Sequence, residues 1–172
     1  QLEYASRQLA SIEINGTYYR GQTPAIFAKW AADAPDGFIF SVKGNRFITN
    51  RKSLSEASES LEKFWATGVH ELGDKLGPIV WQFAPTKKFE ADDFEAFLKL
   101  LPDRKEGVAL RHVLEVRHAS FVDPAFVTLA RKYRAAICYA DHNTYPDTEQ
   151  KGRRIVEAVI LDGGKEVRIS GS

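Results

Sequence analysis

The sequence has a single cysteine, no methionine and no long apolar run. With Cys138 alone, the chain cannot form an internal disulfide or a zinc site built from cysteines. Cys138 lies in the apolar run AAICYA, which is typical of a buried and unreactive thiol. Because the chain contains no methionine, even at the start, we expect that it is either a trimmed chain or one from which some residues are missing. No stretch approaches the roughly 18 apolar residues of a membrane helix, and there is no signal-peptide pattern, so we expect a cytoplasmic protein.

The charges are nearly balanced. The 24 Lys and Arg residues against 23 Asp and Glu residues give a formal net charge of +1, so there is no general electrostatic reason to expect nucleic-acid binding. The chain also lacks a glycine-rich phosphate loop and a dinucleotide fingerprint, and we expect no cofactor. Its 172 residues are enough for one domain with a sizeable core, and we treat residues 1–172 as a single domain.

Predicted strands and helices alternate along most of the chain. The alternating or continuous apolar patterns predict strands over 11–17, 38–43, 78–84, 112–118 and 137–141. Helical spacing predicts helices over 2–9, after Thr23-Pro24, after Ser53, over 90–101 and after Asp123-Pro124. Ser53 and Glu56 resemble a capping box, and Gly77-Pro78 is expected to end the long helix that follows it. The tail, 151–172, fits either a helix-turn-strand or a Gly-Gly hairpin.

Polar side chains recur within these strands and distinguish two architectures. They are Glu13, Asn15, Lys43, Gln82, Glu115, Arg117 and Asp141. In a doubly wound sheet both faces lie under helices, where charges would be dry and costly. In a (β/α)₈ barrel the inner face opens at the carboxyl ends of the strands. The pattern therefore favours a TIM-barrel-like α/β fold of parallel strands, with these side chains pointing inward and Trp81 facing the helices.

Five segments in this order resemble the domain-of-unknown-function 72 family. They are IEINGTYYR (12–20), FSVKGNRFITN (40–50), LGPIVWQFAP (76–85), LEVRH (114–118) and ADH (140–142). The resemblance implies a TIM-barrel-like fold with polar residues around a central pocket. Family members have a further first strand with a Gly-Trp motif and a later Tyr-Val-Arg-Leu-His-Gly-like strand. Neither is found here, so the barrel is expected to be incomplete at both ends, and the family supplies no established reaction.

The polar residues suggest an enzyme site. Glu115, Asp141 and Glu13 are the candidate catalytic residues, as general acids or bases. The candidate substrate-binding residues are Arg117, Lys43, Asn15, Gln82, Tyr18 and His118. Because Arg and Lys suit an anionic group, and two carboxylates suit a sugar bond, we predict hydrolase- or lyase-like chemistry on a small anionic or sugar-like substrate, without a metal. A structural ion-pair network is the alternative explanation of the same residues.

Two other functions remain open. His118, Asp141, His142 and Glu115 could form the site of a metal-dependent hydrolase, although no HxH or HExxH spacing occurs. A non-catalytic module could instead bind a phosphorylated metabolite, or nucleic acid at the loop KGNRFITNRK (43–52), where basic residues surround Phe47. The near-neutral total charge does not favour nucleic acid, and no oligomeric state is predicted. We expect His70 and His112 to lie at the surface.

Overall fold

A computed structural model describes residues 2–138 and the backbone of 159–161 and 165–167. The strands in the first range are β1 Ser11–Ile14, β2 Ile39–Lys43, β3 Leu76–Gln82, β4 Arg104–Lys105, β5 Val108–Ala109, β6 His112–Glu115 and β7 Ala136–Ile137. The α-helices are α1 Leu2–Gln8, α2 Gly16–Tyr19, α3 Pro24–Asp33, α4 Arg46–Thr49, α5 Ser58–Trp65, α6 Ala91–Lys99 and α7 Pro124–Lys132. Short 3-10 segments cover Leu54–Glu56, Val69–Lys75 and Ala119–Phe121.

The five predicted strands form one parallel sheet. Its order is β1-β2-β3-β6-β7, so each strand lies beside the next one in the chain, apart from the small antiparallel pair β4 and β5. A doubly wound sheet reverses direction and leaves its first strand in the middle. Here β1 and β7 occupy the two edges of the sheet. The prediction of a parallel α/β fold is confirmed, and the described residues do not close a barrel.

The two faces of the sheet carry apolar clusters of different size. The main core contains Phe40, Trp81 and Leu114 from the strands, packed against apolar side chains of the helices. The opposite face has a separate small apolar cluster of Val80 and Val113, with Ala136 and Cys138 beside it. We call this second face the inner face. The prediction that Trp81 faces the helices is confirmed, since its ring contacts Phe64, Trp65 and Phe97.

His112 lies in the core, and the prediction that it is a surface residue is wrong. It pairs in register with Ile79 on the helix-covered side of the sheet and is 7% exposed. Trp81 Nε1–H donates to His112 Nδ1 at 3.1 Å, which leaves Nε2–H to donate to the Pro102 carbonyl at 2.9 Å. Burial lowers the pKa of the imidazole, so the neutral form that these two bonds require is favoured. His70 is half-buried.

Two predicted helix boundaries are also wrong. Ser53 makes no capping bond to the helix backbone, because Asp93 of α6 accepts the Leu54 and Ser55 N–H groups, each at 3.0 Å. The predicted long helix is divided into α5 and the flanking 3-10 segments. Gly77 lies inside β3, where a Cβ atom would approach the Phe40 carbonyl oxygen to 2.7 Å. Glycine therefore permits close strand contact here and does not end a helix.

Two predicted helix starts are confirmed. Helix α3 begins at Pro24, and α7 begins after Asp123, whose carboxylate accepts the Ala125 N–H at 2.8 Å. In the tail, β8 Val159–Leu161 and β9 Lys165–Val167 pair antiparallel. Of the helix-turn-strand and the hairpin predicted for the tail, this pairing is the hairpin. In the described part of the chain, no helix is both long and apolar enough to cross a membrane.

Candidate functional site

Charged side chains gather on the inner face where the strands end. Strand register pairs Glu13 with Ser41, two residues before Lys43, and pairs Gln82 with Glu115. Lys43 itself pairs with Val80, a member of the inner apolar cluster. Because alternate residues of a strand share a face, these pairings place the four polar side chains above that apolar cluster. The prediction that Glu13 faces inward agrees with this register.

Lys43 lies between two carboxylates without a hydrogen bond to either. Its Nζ is 3.6 Å from Glu13 Oε1 and 3.9 Å from Glu115 Oε2. Arg117 holds Glu115 more tightly, since Nε and Nη2 donate to Oε1 at 2.9 and 2.5 Å. The Lys43 and Glu115 side chains are 13% and 9% exposed, against 22% for Glu13 and Arg117. We call these four residues the inner charged cluster.

A second ion pair, between Asp93 and Lys87, provides a comparison, because both of its side chains form hydrogen bonds as well as the ion pair. Asp93 and Lys87 are 3.0 Å apart, and their side chains are 19% and 11% exposed. Asp93 also accepts hydrogen bonds from Ser53, Leu54 and Ser55, and Lys87 donates to the Lys52 carbonyl at 2.9 Å. Burial raises the pKa of Asp93, but these hydrogen bonds outweigh it and lower the pKa to about 2. By comparison, Lys43 of the inner charged cluster makes no hydrogen bond to a side chain that the structure describes.

Tyr18 and Asn15 lie on the turn after β1, because the strand ends at Ile14 and not at Thr17 as predicted. The Tyr18 ring centre is 6.0 Å from Lys43 Nζ, and the Tyr18 hydroxyl accepts from Asn50 Nδ2 at 3.2 Å. Asn15 precedes α2 and is exposed, and its inward placement with Glu13 stays a prediction. Gln82 is half-buried opposite Glu115.

His118 has a local structural role. Its Nδ1 accepts from the Ser120 N–H at 3.1 Å and lies 2.8 Å from Ser120 Oγ. Because Nδ1 accepts that N–H and carries no hydrogen, the Ser120 hydroxyl donates to it, while Ser120 Oγ accepts the Phe89 N–H at 2.8 Å. The histidine thereby fixes the start of the 3-10 turn Ala119–Phe121. The predicted site residues Asp141 and His142 lie outside the described residues.

The chemistry of the remaining candidates is limited. Within residues 2–138, no three His, Cys, Asp or Glu side chains lie together in a way that could hold a metal ion. Burial, aided by the charges of Glu115 and Glu13, raises the pKa of the Cys138 thiol to about 11, which agrees with an unreactive cysteine. Arg51 of the loop 43–52 forms hydrogen bonds within the protein. Its Nε donates to the Phe47 carbonyl at 3.1 Å, and its Nη2 donates to Ser60 Oγ at 2.9 Å.

Thr17 contributes to the site, although it was not among the predicted site residues. Thr17 is 2% exposed, and its Oγ1 lies 2.6 Å from the Lys43 carbonyl and 2.9 Å from that of Ile14. Asn45 Nδ2 donates to the Thr17 carbonyl at 3.2 Å. The turns after β1 and β2 are therefore held together beside Lys43. The only sequence signal for Thr17 was its position as the last residue of the strand predicted over 11–17.

The parallel sheet with its consecutive strand order defines an α/β protein, and comparison with known families makes the assignment specific. Residues 1–171 match the family described as "Protein of unknown function DUF72". The chain belongs to the DUF72 family.

Solved structures agree with this assignment. A DUF72 family protein from Enterococcus faecalis V583 superposes with a TM-score of 0.66 at 19% identity, over 85% of this chain and 62% of that one. One from Thermotoga maritima MSB8 gives a TM-score of 0.60 at 19% identity, over 83% and 56%. The chain thus spans little more than half the length of these proteins. At this identity the likeness shows the fold alone, an α/β fold with a parallel five-stranded sheet.

A short similarity to an enzyme was also found. A 2-isopropylmalate synthase of Mesorhizobium japonicum is 66% identical over 38 residues, which is 22% of this chain and 7% of the synthase. The synthase of Brucella suis biovar 1 is 57% identical over 37 residues, again 7% of its length. Segments of this size rarely form a folded domain by themselves. The similarity therefore does not assign the synthase reaction to this chain.

Proposed function

We propose that the inner charged cluster is an acid–base site of an enzyme that acts on a small anionic or polyhydroxylated substrate. The sheet that carries it would belong to a TIM-barrel-like fold, in which sites lie at the carboxyl ends of the strands. Glu13, Lys43, Gln82 and Glu115 all lie at or near those ends.

One observation carries the proposal: Lys43 has a largely buried side chain, and its ammonium group makes no hydrogen bond to another described residue. Among those residues its ion-pair partners are the carboxylates at 3.6 and 3.9 Å, and burying a charge is costly unless it is well paired. The Asp93–Lys87 pair shows that this protein can saturate a structural ion pair. The spare donors of Lys43 would bind an anionic or hydroxyl oxygen of the substrate.

The two carboxylates would have different roles. Glu115 is held on one oxygen by two bonds from Arg117, which suits a residue that positions Lys43. Glu13 has Lys43 at 3.6 Å and is otherwise more exposed, so it is better placed to take or give a proton. Asp141, the third candidate, would join them from beyond β7.

Binding of ribose 5-phosphate, which is both anionic and polyhydroxylated, tests the proposal directly. Isothermal titration into the wild-type chain should detect binding. The Lys43→Met substitution should weaken it at least about tenfold, because a hydrogen bond to a charged group contributes roughly 1.5–3 kcal/mol.

Lys87→Met is the matched control, since Lys87 is similarly buried and also beside a carboxylate. We expect it to lower thermal stability while leaving ribose 5-phosphate binding unchanged. Failure of the wild-type chain to bind at millimolar concentration, or equal binding by the Lys43→Met variant, would contradict the proposal.

A further inference from the structure

An aromatic and cationic surface lies at the rim of the candidate site. Tyr19 of α2 and Phe47 of α4 are each 62% exposed. The Arg46 guanidinium carbon is 5.7 Å from the centre of the Tyr19 ring and 5.3 Å from that of Phe47. We call these three residues the aromatic platform. Large exposed rings that cluster mark binding surfaces more often than rings that are exposed singly.

The clustering is specific to this end of the sheet. The exposed aromatic side chains of residues 2–138 are Tyr4, Tyr19 and Phe47. Tyr4 is on α1, which precedes β1, whereas α2 and α4 follow the carboxyl ends of β1 and β2. The two neighbouring exposed rings therefore lie at the same end as Lys43.

The platform is held in place by the turns beneath it. Asn45 Oδ1 accepts the Phe47 N–H at 3.0 Å, while Asn45 Nδ2 donates to the Thr17 carbonyl at 3.2 Å. Asn50 at the end of α4 donates to the Tyr18 hydroxyl at 3.2 Å. These bonds connect the Tyr19 turn to the Phe47 turn, so the two rings are presented with a fixed spacing, which lowers the cost of ordering them on binding.

The platform is also continuous with the inner charged cluster. The Tyr19 and Tyr18 ring centres are 5.1 Å apart, and the Tyr18 centre is 6.0 Å from Lys43 Nζ, so the Tyr19 ring lies within about 11 Å of the ammonium. A single small molecule can span that distance. Exposed rings and a guanidinium plane bind flat aromatic groups by stacking, and a lysine ammonium group binds oxyanions.

We infer that the ligand of this site joins a flat aromatic ring to an anionic group, as a nucleotide does, with the ring on the aromatic platform and the anion at Lys43. This inference rests on the proposed function and specifies its substrate class. The ring would gain stacking contact with Tyr19 and Phe47, and Arg46 would offer its guanidinium face to the same ring.

Titration with AMP and ribose 5-phosphate separates the two parts of the inference, because the compounds differ in the adenine ring. In the wild-type chain AMP should bind at least about fivefold more tightly, given the usual contribution of base stacking. Phe47→Ala and Tyr19→Ala should each reduce that difference without changing ribose 5-phosphate binding. Both side chains are exposed, so the variants should fold, which circular dichroism checks.

Tyr4→Ala serves as the control, because it removes an exposed ring on α1 that is not part of the aromatic platform, and it should change neither affinity. Equal binding of AMP and ribose 5-phosphate, no binding of AMP at millimolar concentration, or AMP binding insensitive to both platform substitutions would overturn the inference. Lys43→Met tests the proposed function separately. If it changes neither affinity while the platform substitutions weaken AMP binding, the aromatic platform binds the adenine ring but Lys43 does not bind the anion.

The aromatic ring could come from a free nucleotide or from the end of a nucleic-acid strand. A single-stranded oligonucleotide that competes with AMP, binds more tightly and loses affinity steeply with salt would identify the strand as the source. Competition no stronger than that of AMP would identify the free nucleotide. Both results require the same stacking chemistry at Tyr19 and Phe47.

Discussion

Replacing Glu13 by glutamine is expected to lower turnover by roughly 10²–10⁴-fold, the usual contribution of a general acid or base. The amide has nearly the same shape but cannot accept a proton. Because the Glu13 carboxylate lies 3.6 Å from Lys43 and is 22% exposed, the substitution should cost little stability. Release of p-nitrophenolate from p-nitrophenyl phosphate and from p-nitrophenyl glycosides reports phosphate-ester and glycoside hydrolysis in one assay.

Two further variants define the role of Glu13. Glu59→Gln alters an exposed carboxylate paired with Lys63 on α5 and should retain full turnover. Glu115→Gln replaces the charged acceptor of two Arg117 hydrogen bonds by a neutral amide and should reduce both turnover and thermal stability, since bonds between charged groups are the stronger ones. Turnover of the Glu13→Gln variant equal to that of the wild-type chain would exclude Glu13 as the acid or base.

Replacing Trp81 by alanine is expected to lower the free energy of unfolding by about 3–5 kcal/mol, the range for aromatic residues removed from a core. Trp81 is fully buried against rings of α5 and α6. The substitution also leaves His112 Nδ1 without its donor. Because domains of this size are stable by only about 5–15 kcal/mol, urea unfolding should show a large shift of the midpoint.

Companion variants separate the causes of this loss. Trp81→Phe keeps most of the ring but removes the bond to His112, and should cost about 1–3 kcal/mol. Gly44→Ala places a Cβ atom 2.3 Å from the indole ring and should also destabilise, although Trp81 itself is unchanged. Trp30→Ala on α3, where the side chain is only partly buried, should cost less. An equal loss for Trp30→Ala and Trp81→Ala would contradict the central packing role of Trp81.

The parallel sheet could be predicted because its signals are local. Alternation in SIEI and the apolar run around Trp81 identify strands, and Thr23-Pro24 and Asp123-Pro124 identify helix starts. Inward placement of Glu13, Lys43 and Glu115 follows from the period of two along a strand, and needs only that the strands be parallel.

The errors arise where a distant residue determines the local structure. Ser53 and Glu56 have the spacing of a capping box, but Asp93, forty residues away from Ser53, takes the hydrogen bonds. His112 lies on the core side of β6. Burial of its imidazole is favourable because Trp81 and Pro102, which are distant in the sequence from β6 or outside it, form hydrogen bonds with both ring nitrogens. No local pattern contains these partners.

The aromatic platform was predicted only in part. The sequence shows Phe47 among the basic residues of the loop 43–52, but it does not show that Tyr19 of NGTYYR lies beside that loop. Their shared contact with Arg46 depends on the hydrogen bonds that tie the turns after β1 and β2. Pairing of this kind follows from strand adjacency and not from sequence proximity.

The central claim is that Lys43 keeps hydrogen-bond donors for a ligand, and a crystal structure of the protein soaked with ribose 5-phosphate tests it most directly. The account predicts a phosphate or hydroxyl oxygen at hydrogen-bond distance from Lys43 Nζ, with Glu13 and Glu115 on either side and Arg117 still bound to Glu115. A Lys43 ammonium that instead donates to both carboxylates, leaving no room for a ligand oxygen, would show that the inner charged cluster is a structural network and would contradict the account.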